Sequence, residues 1–229
     1  MIKRRPPHQP PRRALLRTGA GLALVCASPL ALSAPVSARA AAPSPATILI
    51  VGDSLSSEYG LPRCTGWPAL LPARLHQRGY AHEVVNASIS GDTTSGGWSR
   101  LPALLAQHRP RVVILELGSN DGLRGLSLQA AEDNLAKMIA ASKAAGARVL
   151  LVGMMIPPNY GRDYTQRFQQ MFGRIAKAHQ TALVPFLLDG VAQHNELFQA
   201  DRLHPIAQAQ PQLLDNIWKG LEPLLAAKR

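Results

Sequence analysis

The chain has 229 residues, 46% hydrophobic and 17% charged, which excludes disordered, collagen-like, coiled-coil and polytopic membrane proteins and leaves one globular domain with a real core. A formal charge of +11 would suggest nucleic acid if it were spread over the whole chain, but residues 1–42 hold seven of the 25 Lys and Arg and no acid. The remainder carries 18 basic against 14 acidic residues, a balance that speaks of solubility and excludes a nucleic-acid footprint.

Residues 1–42 read as a signal peptide. A basic start is followed by an apolar run from Ala14 to Ala34 and by small-residue cleavage sites at Ala38-Arg39-Ala40 or Ala40-Ala41-Ala42. The Arg12-Arg13 pair before the run is a weak match to a twin-arginine signal. The competing reading is a membrane anchor, but Thr18 to Ala34 is shorter than the roughly 20 residues a span needs and contains Gly19, Gly21 and Pro29. Export to the periplasm or beyond is therefore expected, with no membrane insertion of the mature chain. Cys26 leaves with this leader, so Cys64 stays alone and no internal disulfide forms.

Residues 43–46 read as a linker and residues 47–229 as one domain. Ile48 to Val51 is a short apolar run closed by Gly52, the mark of a strand buried on both faces. Glu83 to Val85 is a weaker second strand, Arg111 to Glu116 a third, Arg148 to Val152 a fourth and Ala182 to Phe186 a fifth. Between them, Leu128, Ala131, Leu135, Met138, Ile139 and Ser142 repeat with helical spacing, and Gly146 offers the stop. Tyr164, Phe168, Met171, Phe172 and Ile175 make a second stripe. Leu213, Leu214, Ile217, Trp218 and Leu221 make a third, with Pro211 near its start. Strands alternating with helices predict an α/β fold, a parallel sheet with helices on both faces and its ligands beyond the carboxyl ends of the strands.

Polar clusters stand at those ends: Gly52-Asp53-Ser54 after strand one, Ser90-Gly91-Asp92 after strand two, Ser119-Asn120-Asp121-Gly122 after strand three and Asp201-Arg202-Leu203-His204 near the C-terminus. Together they fit acyl transfer. A serine hydroxyl attacks only when a base takes its proton, and His204 is the candidate base for Ser54. Asp201 lies three residues before His204, close enough to hold its other ring nitrogen. The Ser54 and Gly91 backbone N–H groups and the Asn120 amide are candidate oxyanion donors, and glycine lets its backbone approach the substrate closely. Each cluster alone has a plainer reading: Ser54 as a helix cap with Asp53 bonding the turn, residues 120–122 as a turn, His204 as a solvated loop residue. The serine is not an α/β-hydrolase elbow, because Ser56 replaces the second glycine of Gly-x-Ser-x-Gly.

These blocks resemble those of the SGNH/GDSL hydrolases: Ser54, Gly91, Asn120 and His204, with Asp201 completing a triad. The likeness covers nearly all of residues 47–225, is closest to the bacterial periplasmic acyl-CoA thioesterase and lysophospholipase branch and its arylesterases, and includes Trp67 to Leu71, Arg100 to Leu105, Asn120 to Gly125 and Pro158 to Arg162. It implies a three-layer flavodoxin-like fold with a five-stranded parallel sheet, no metal or other cofactor, and action on acyl esters, thioesters or lysophospholipids. Separately, a monomer is expected, though no motif reports the oligomeric state. It also implies a mobile loop from Leu123 to Leu128 over the acyl pocket, with Leu123, Arg124, Met155, Pro158 and Tyr160 as substrate-binding residues. Two departures bear on substrate preference: Ser119, where this branch often has a second glycine, and the segment Glu58 to Thr65 near the acyl entrance. The rival readings are a carbohydrate deacetylase of the same superfamily and an inactive acyl-binding protein. Nucleotide binding has no GxGxxG or P-loop to support it.

Overall fold

The computed structural model of the chain describes residues 45–225. The signal peptide expected at 1–42 and the first two residues of the linker expected at 43–46 lie outside them. Five strands form one sheet: β1 (Ala46–Gly52), β2 (His82–Asn86), β3 (Val112–Glu116), β4 (Arg148–Val152) and β5 (Ala182–Val184). Their order is β2-β1-β3-β4-β5 and every pairing is parallel. β1 and β3 are continuous apolar runs because both sheet faces are covered: Ile48 to Val51 and Val113 to Leu115 are wholly buried.

The main helices are α1 (Trp67–Gln77), α2 (Thr94–His108), α4 (Leu128–Ala144), α5 (Arg162–Ala178) and α6 (Gln210–Leu221), with the short α3 (Ser119–Leu123) following β3. α1 packs with α6, whereas α4 packs between α2 and α5, so the sheet lies between two helical layers. The three predicted stripes are the buried faces of α4, α5 and α6, with Tyr164 half-buried at its edge. Gly146 takes φ +82 just past α4, the left-handed geometry expected of its stop.

Strands two and three differ by single residues at their ends, as His82–Asn86 and Val112–Glu116, and three further differences from the sequence reading have a plain physical reason. β1 begins at Ala46, the last residue of the expected linker, because Ala46 pairs with His82. β5 ends at Val184, not Phe186, since Pro185 has no N–H to continue the ladder. Residues 119–123 form α3 instead of a turn, entered through Gly118 at φ +119. The chain runs β1 to β2 on one side and then crosses to β3 on the other. The switch point of the sheet therefore falls between β1 and β3, where a crevice opens at the carboxyl edge.

Candidate active site

Ser54 follows β1 in a tight turn. The Leu55 N–H donates to Asp53 Oδ1 (3.1 Å) and the Ser57 N–H to the Asp53 carbonyl (2.9 Å), so Asp53 shapes the turn while leaving the serine hydroxyl free of it. That hydroxyl lies 2.8 Å from His204 Nε2, across 150 residues of sequence. His204 Nδ1 lies 2.7 Å from Asp201 Oδ2.

The acid and the imidazole share one short hairpin. The Gln199 N–H donates to the His204 carbonyl (2.8 Å), the Arg202 N–H to the Gln199 carbonyl (2.9 Å), and Phe198 bridges antiparallel to Pro205. Asp201 Oδ1 accepts from the Leu203 and His204 N–H groups at 2.9 and 3.0 Å. Partial desolvation pushes the Asp201 carboxyl up, but those two N–H groups and the His204 ring outweigh it, and its pKa is lowered overall. Asp201 is thereby kept as a carboxylate facing the ring.

Gly91 (φ +78) sits in the loop after β2, which Arg100 of α2 holds in place. Its guanidinium donates to Asp92 Oδ2 (2.9 Å), to the Ala87 carbonyl and to the Gly52 carbonyl (3.4 Å), tying the ends of β1 and β2 together. Asn120, on α3, donates from Nδ2 to the Asp92 carbonyl (2.9 Å) and more weakly to Asp53 Oδ2 (3.3 Å). Among the described residues, the Ser54 and Gly91 N–H groups meet no acceptor within the protein. Asp121 anchors α3 to α2, accepting from the Thr94 N–H (2.9 Å) and hydroxyl (2.7 Å).

A cleft of about 760 Å3 opens over these groups. Ser54, Gly91, Asn120 and His204 line it together with Leu123, Met155 and Pro158. Arg124 and Tyr160 stand outside the lining, because their polar ends are turned to backbone. Arg124 donates to the Gly91 carbonyl (2.8 Å), and Tyr160 donates its hydroxyl to the Leu123 carbonyl (3.0 Å). They brace the predicted loop, as does Tyr164, whose hydroxyl is shared between the Gly122 (3.2 Å) and Leu126 (3.4 Å) carbonyls. Ser119 also lines the cleft, its hydroxyl buried without a partner.

Several residues here were not singled out by sequence reasoning. Tyr59 rests its ring 4.6 Å from that of His204 and is half exposed. Phe186, Leu188 and Phe198 add apolar wall. Glu116, at the end of β3, is fully buried behind the serine turn, where it accepts from the Ser56 hydroxyl (2.7 Å) and distantly from the Asp53 N–H (3.4 Å). Burial, reinforced by the neighbouring Asp53 charge, pushes Glu116 well above the usual carboxyl range. Burial likewise lifts Asp53 to about 6, against the pull of the Leu55 N–H and of His204. The exposed large apolar side chains of the described residues, Tyr59, Ile89, Leu126, Met155, Tyr160 and Leu203, all belong to loops or, for Tyr160, a single 3-10 turn at this edge of the sheet.

Among the described residues no cluster of three or more His, Cys, Asp and Glu is placed to hold a metal ion, and no helix is long and apolar enough to cross a membrane.

Residues 50–210 match the model of the GDSL-like lipase/acylhydrolase family. The chain is 52% identical to the esterase TesA of Pseudomonas aeruginosa over 78% of its own length and 89% of that protein. It is 44% identical to the thioesterase 1/protease 1/lysophospholipase L1 of Escherichia coli K12, covering 85% of it, and 43% identical to an arylesterase of Vibrio mimicus, covering 87%. Among solved structures, TesA superposes with a TM-score of 0.77 over 78% of this chain and 99% of that one. The psychrotrophic esterase EstA of Pseudoalteromonas is 40% identical, with a TM-score of 0.74 over 77% of this chain and 97% of that one.

Proposed function

The chain belongs to the GDSL-like lipase/acylhydrolase family and is a carboxylic ester hydrolase of it, and from that premise we propose that Ser54, His204 and Asp201 form its catalytic triad. The observation that carries this reading is the continuous relay at 2.8 and 2.7 Å, opening on the same cleft as two amide N–H groups with no acceptor. Ser54 Oγ attacks the acyl carbonyl carbon as its proton passes to His204 Nε2. The carbonyl oxygen becomes an oxyanion held by the Ser54 and Gly91 N–H groups and by Asn120. Asn120 keeps its bond to the Asp92 carbonyl, which fixes the amide plane, and gives up the longer contact with Asp53 to the oxyanion. His204 then protonates the departing oxygen or sulfur, leaving an acyl-Ser54 ester. Water, deprotonated by the same imidazole, hydrolyses that ester and restores the hydroxyl. The Asp201 carboxylate orients the ring and stabilises its cation throughout.

The substrates we infer are acyl esters, thioesters and lysophospholipids of medium or long chain. The relatives' names point there, and so does the apolar wall of Leu123, Ile156, Phe186 and Phe198. The basic, then apolar, then alanine-rich leader supports export.

The test is hydrolysis of p-nitrophenyl esters from acetyl to palmitoyl by residues 41–229 beside Ser54→Ala. Rates across medium and long chains are expected, with kcat reduced by about 10³-fold or more in the variant. A rate confined to acetyl would favour the deacetylase reading. An unchanged rate in Ser54→Ala would overturn the triad.

A further inference from the structure

Arg202 is the only lysine or arginine among the residues lining the cleft. Its backbone sits at φ +57, left-handed geometry that favours glycine, at the tip of the hairpin carrying Asp201 and His204. The side chain is exposed. Among the described residues its guanidinium meets no carboxylate or carbonyl, whereas Arg74, Arg100 and Arg174 each pair with a carboxylate. The adjacent Asp201 carboxylate does not claim it, being occupied by Leu203, His204 N–H and the His204 ring. A long cation is thus held in an unfavourable backbone conformation at the mouth of the site, with no acceptor for its charge among the described residues.

The chemistry says which half of a substrate it faces. His204 must deliver its proton to the leaving group, so the residues that flank the imidazole flank the leaving group and not the acyl chain. Arg202 and Leu203 precede His204 directly, and the Tyr59 ring lies against the imidazole, its centroid 4.6 Å away. A guanidinium binds phosphate through a planar fork of donors, more directionally than lysine does.

We propose that Arg202 is a specificity residue that binds phosphate carried by the leaving group, selecting phosphate-bearing esters and thioesters over neutral ones of the same acyl chain. This rests on the hydrolase reading above. The phosphate has two sources, a nucleotide-type thioester such as an acyl-CoA and the phosphodiester headgroup of a lysophospholipid.

The experiment measures kcat and KM of the purified protein, Arg202→Gly and Arg202→Lys on octanoyl-CoA, 1-octanoyl lysophosphatidylcholine and p-nitrophenyl octanoate. Glycine suits the left-handed position, so Arg202→Gly is expected to melt no lower than the parent, which verifies its fold. In that variant KM for a phosphate-bearing substrate is expected to rise about tenfold, with p-nitrophenyl octanoate kept within twofold and lysine giving an intermediate value. An effect on the CoA thioester alone, or on the lysophospholipid alone, supports the site and identifies its source of phosphate. Equal losses on all three substrates overturn the proposal, since Arg202 would then act through Asp201 and His204. No loss on either phosphate-bearing substrate overturns it as well. Titration calorimetry with free CoA gives a readout that does not depend on turnover: binding weakened in Arg202→Gly supports an anion site even if Ser54 proves not to be the nucleophile.

Discussion

Glu116 and Asp53 place two carboxyl groups in the dry space behind the nucleophile, where only one charge is tolerable. Burial raises both carboxyls, Glu116 well above the usual carboxyl range and Asp53 to about 6, where the nearby His204 helps hold it down, so the charge of the pair favours Asp53. The other charges facing the pair are Asp92 and the Arg100 that neutralises it. Both carboxyls titrate higher in the folded chain than in the unfolded one, where release comes at about 4. Folding stability tied to the pair is therefore present at low pH and falls as pH rises from about 4 through the folded values, about 6 for Asp53. Glu116→Gln keeps an acceptor for the Ser56 hydroxyl and removes one titration. Its urea midpoint is expected to fall less between pH 5 and pH 8 than that of the parent protein. Parallel slopes would show that Glu116 binds the same number of protons in the folded and unfolded chain across that range, so that burial does not raise its carboxyl.

The elements show what the sequence exposes and what it hides. β1, β3 and β4 are legible because a strand covered on both faces must be apolar throughout, and α4 to α6 because one face must be. β2 and β5 read weakly because they are edge strands, with half-exposed residues such as Val84 and Ala182. The triad is legible because serine, histidine and a nearby aspartate at strand ends have a shared chemistry. Glu116 and Arg100 are not, since each works through partners dozens of residues away: Ser56 and Asp53 for one, Gly52 for the other. The contact of α2 with α4 is hidden in the same way. Gly97 is buried there, and a Cβ on it would stand 2.3 Å from Leu117 Cδ1 and 3.4 Å from Met138 Sδ. Leu117 directly precedes the turn into α3 and is itself buried, so it has little room to yield. Gly97→Ala is expected to cost about 1–3 kcal/mol in a urea titration and to lower kcat by displacing Asn120. Unchanged stability would mean that Leu117 re-packs freely.

On the scale of the whole molecule, every proposed catalytic group stands on a loop or on the short α3 leaving the carboxyl edge of the sheet, while the chain enters β1 at the amino edge. Six residue steps along β1, about 20 Å, separate the two edges. The exposed thiol of Cys64 is at the catalytic edge, in the loop that Glu58 ties by accepting from the Cys64 and Gly66 N–H groups and that carries Tyr59 to His204. The molecule thus has a handle at each pole. Coupled to a bead through a tag ahead of residue 45, the enzyme is expected to keep kcat/KM within about twofold of its value in solution. Coupled through the Cys64 thiol, it is expected to turn its mouth to the support and lose most of its rate on long-chain esters. Equal rates from the two orientations would mean that substrate reaches Ser54 by a path other than the cleft. The same polarity makes an amino-terminal fusion the orientation of choice for displaying this hydrolase on a surface, since the cargo it meets arrives from the far side.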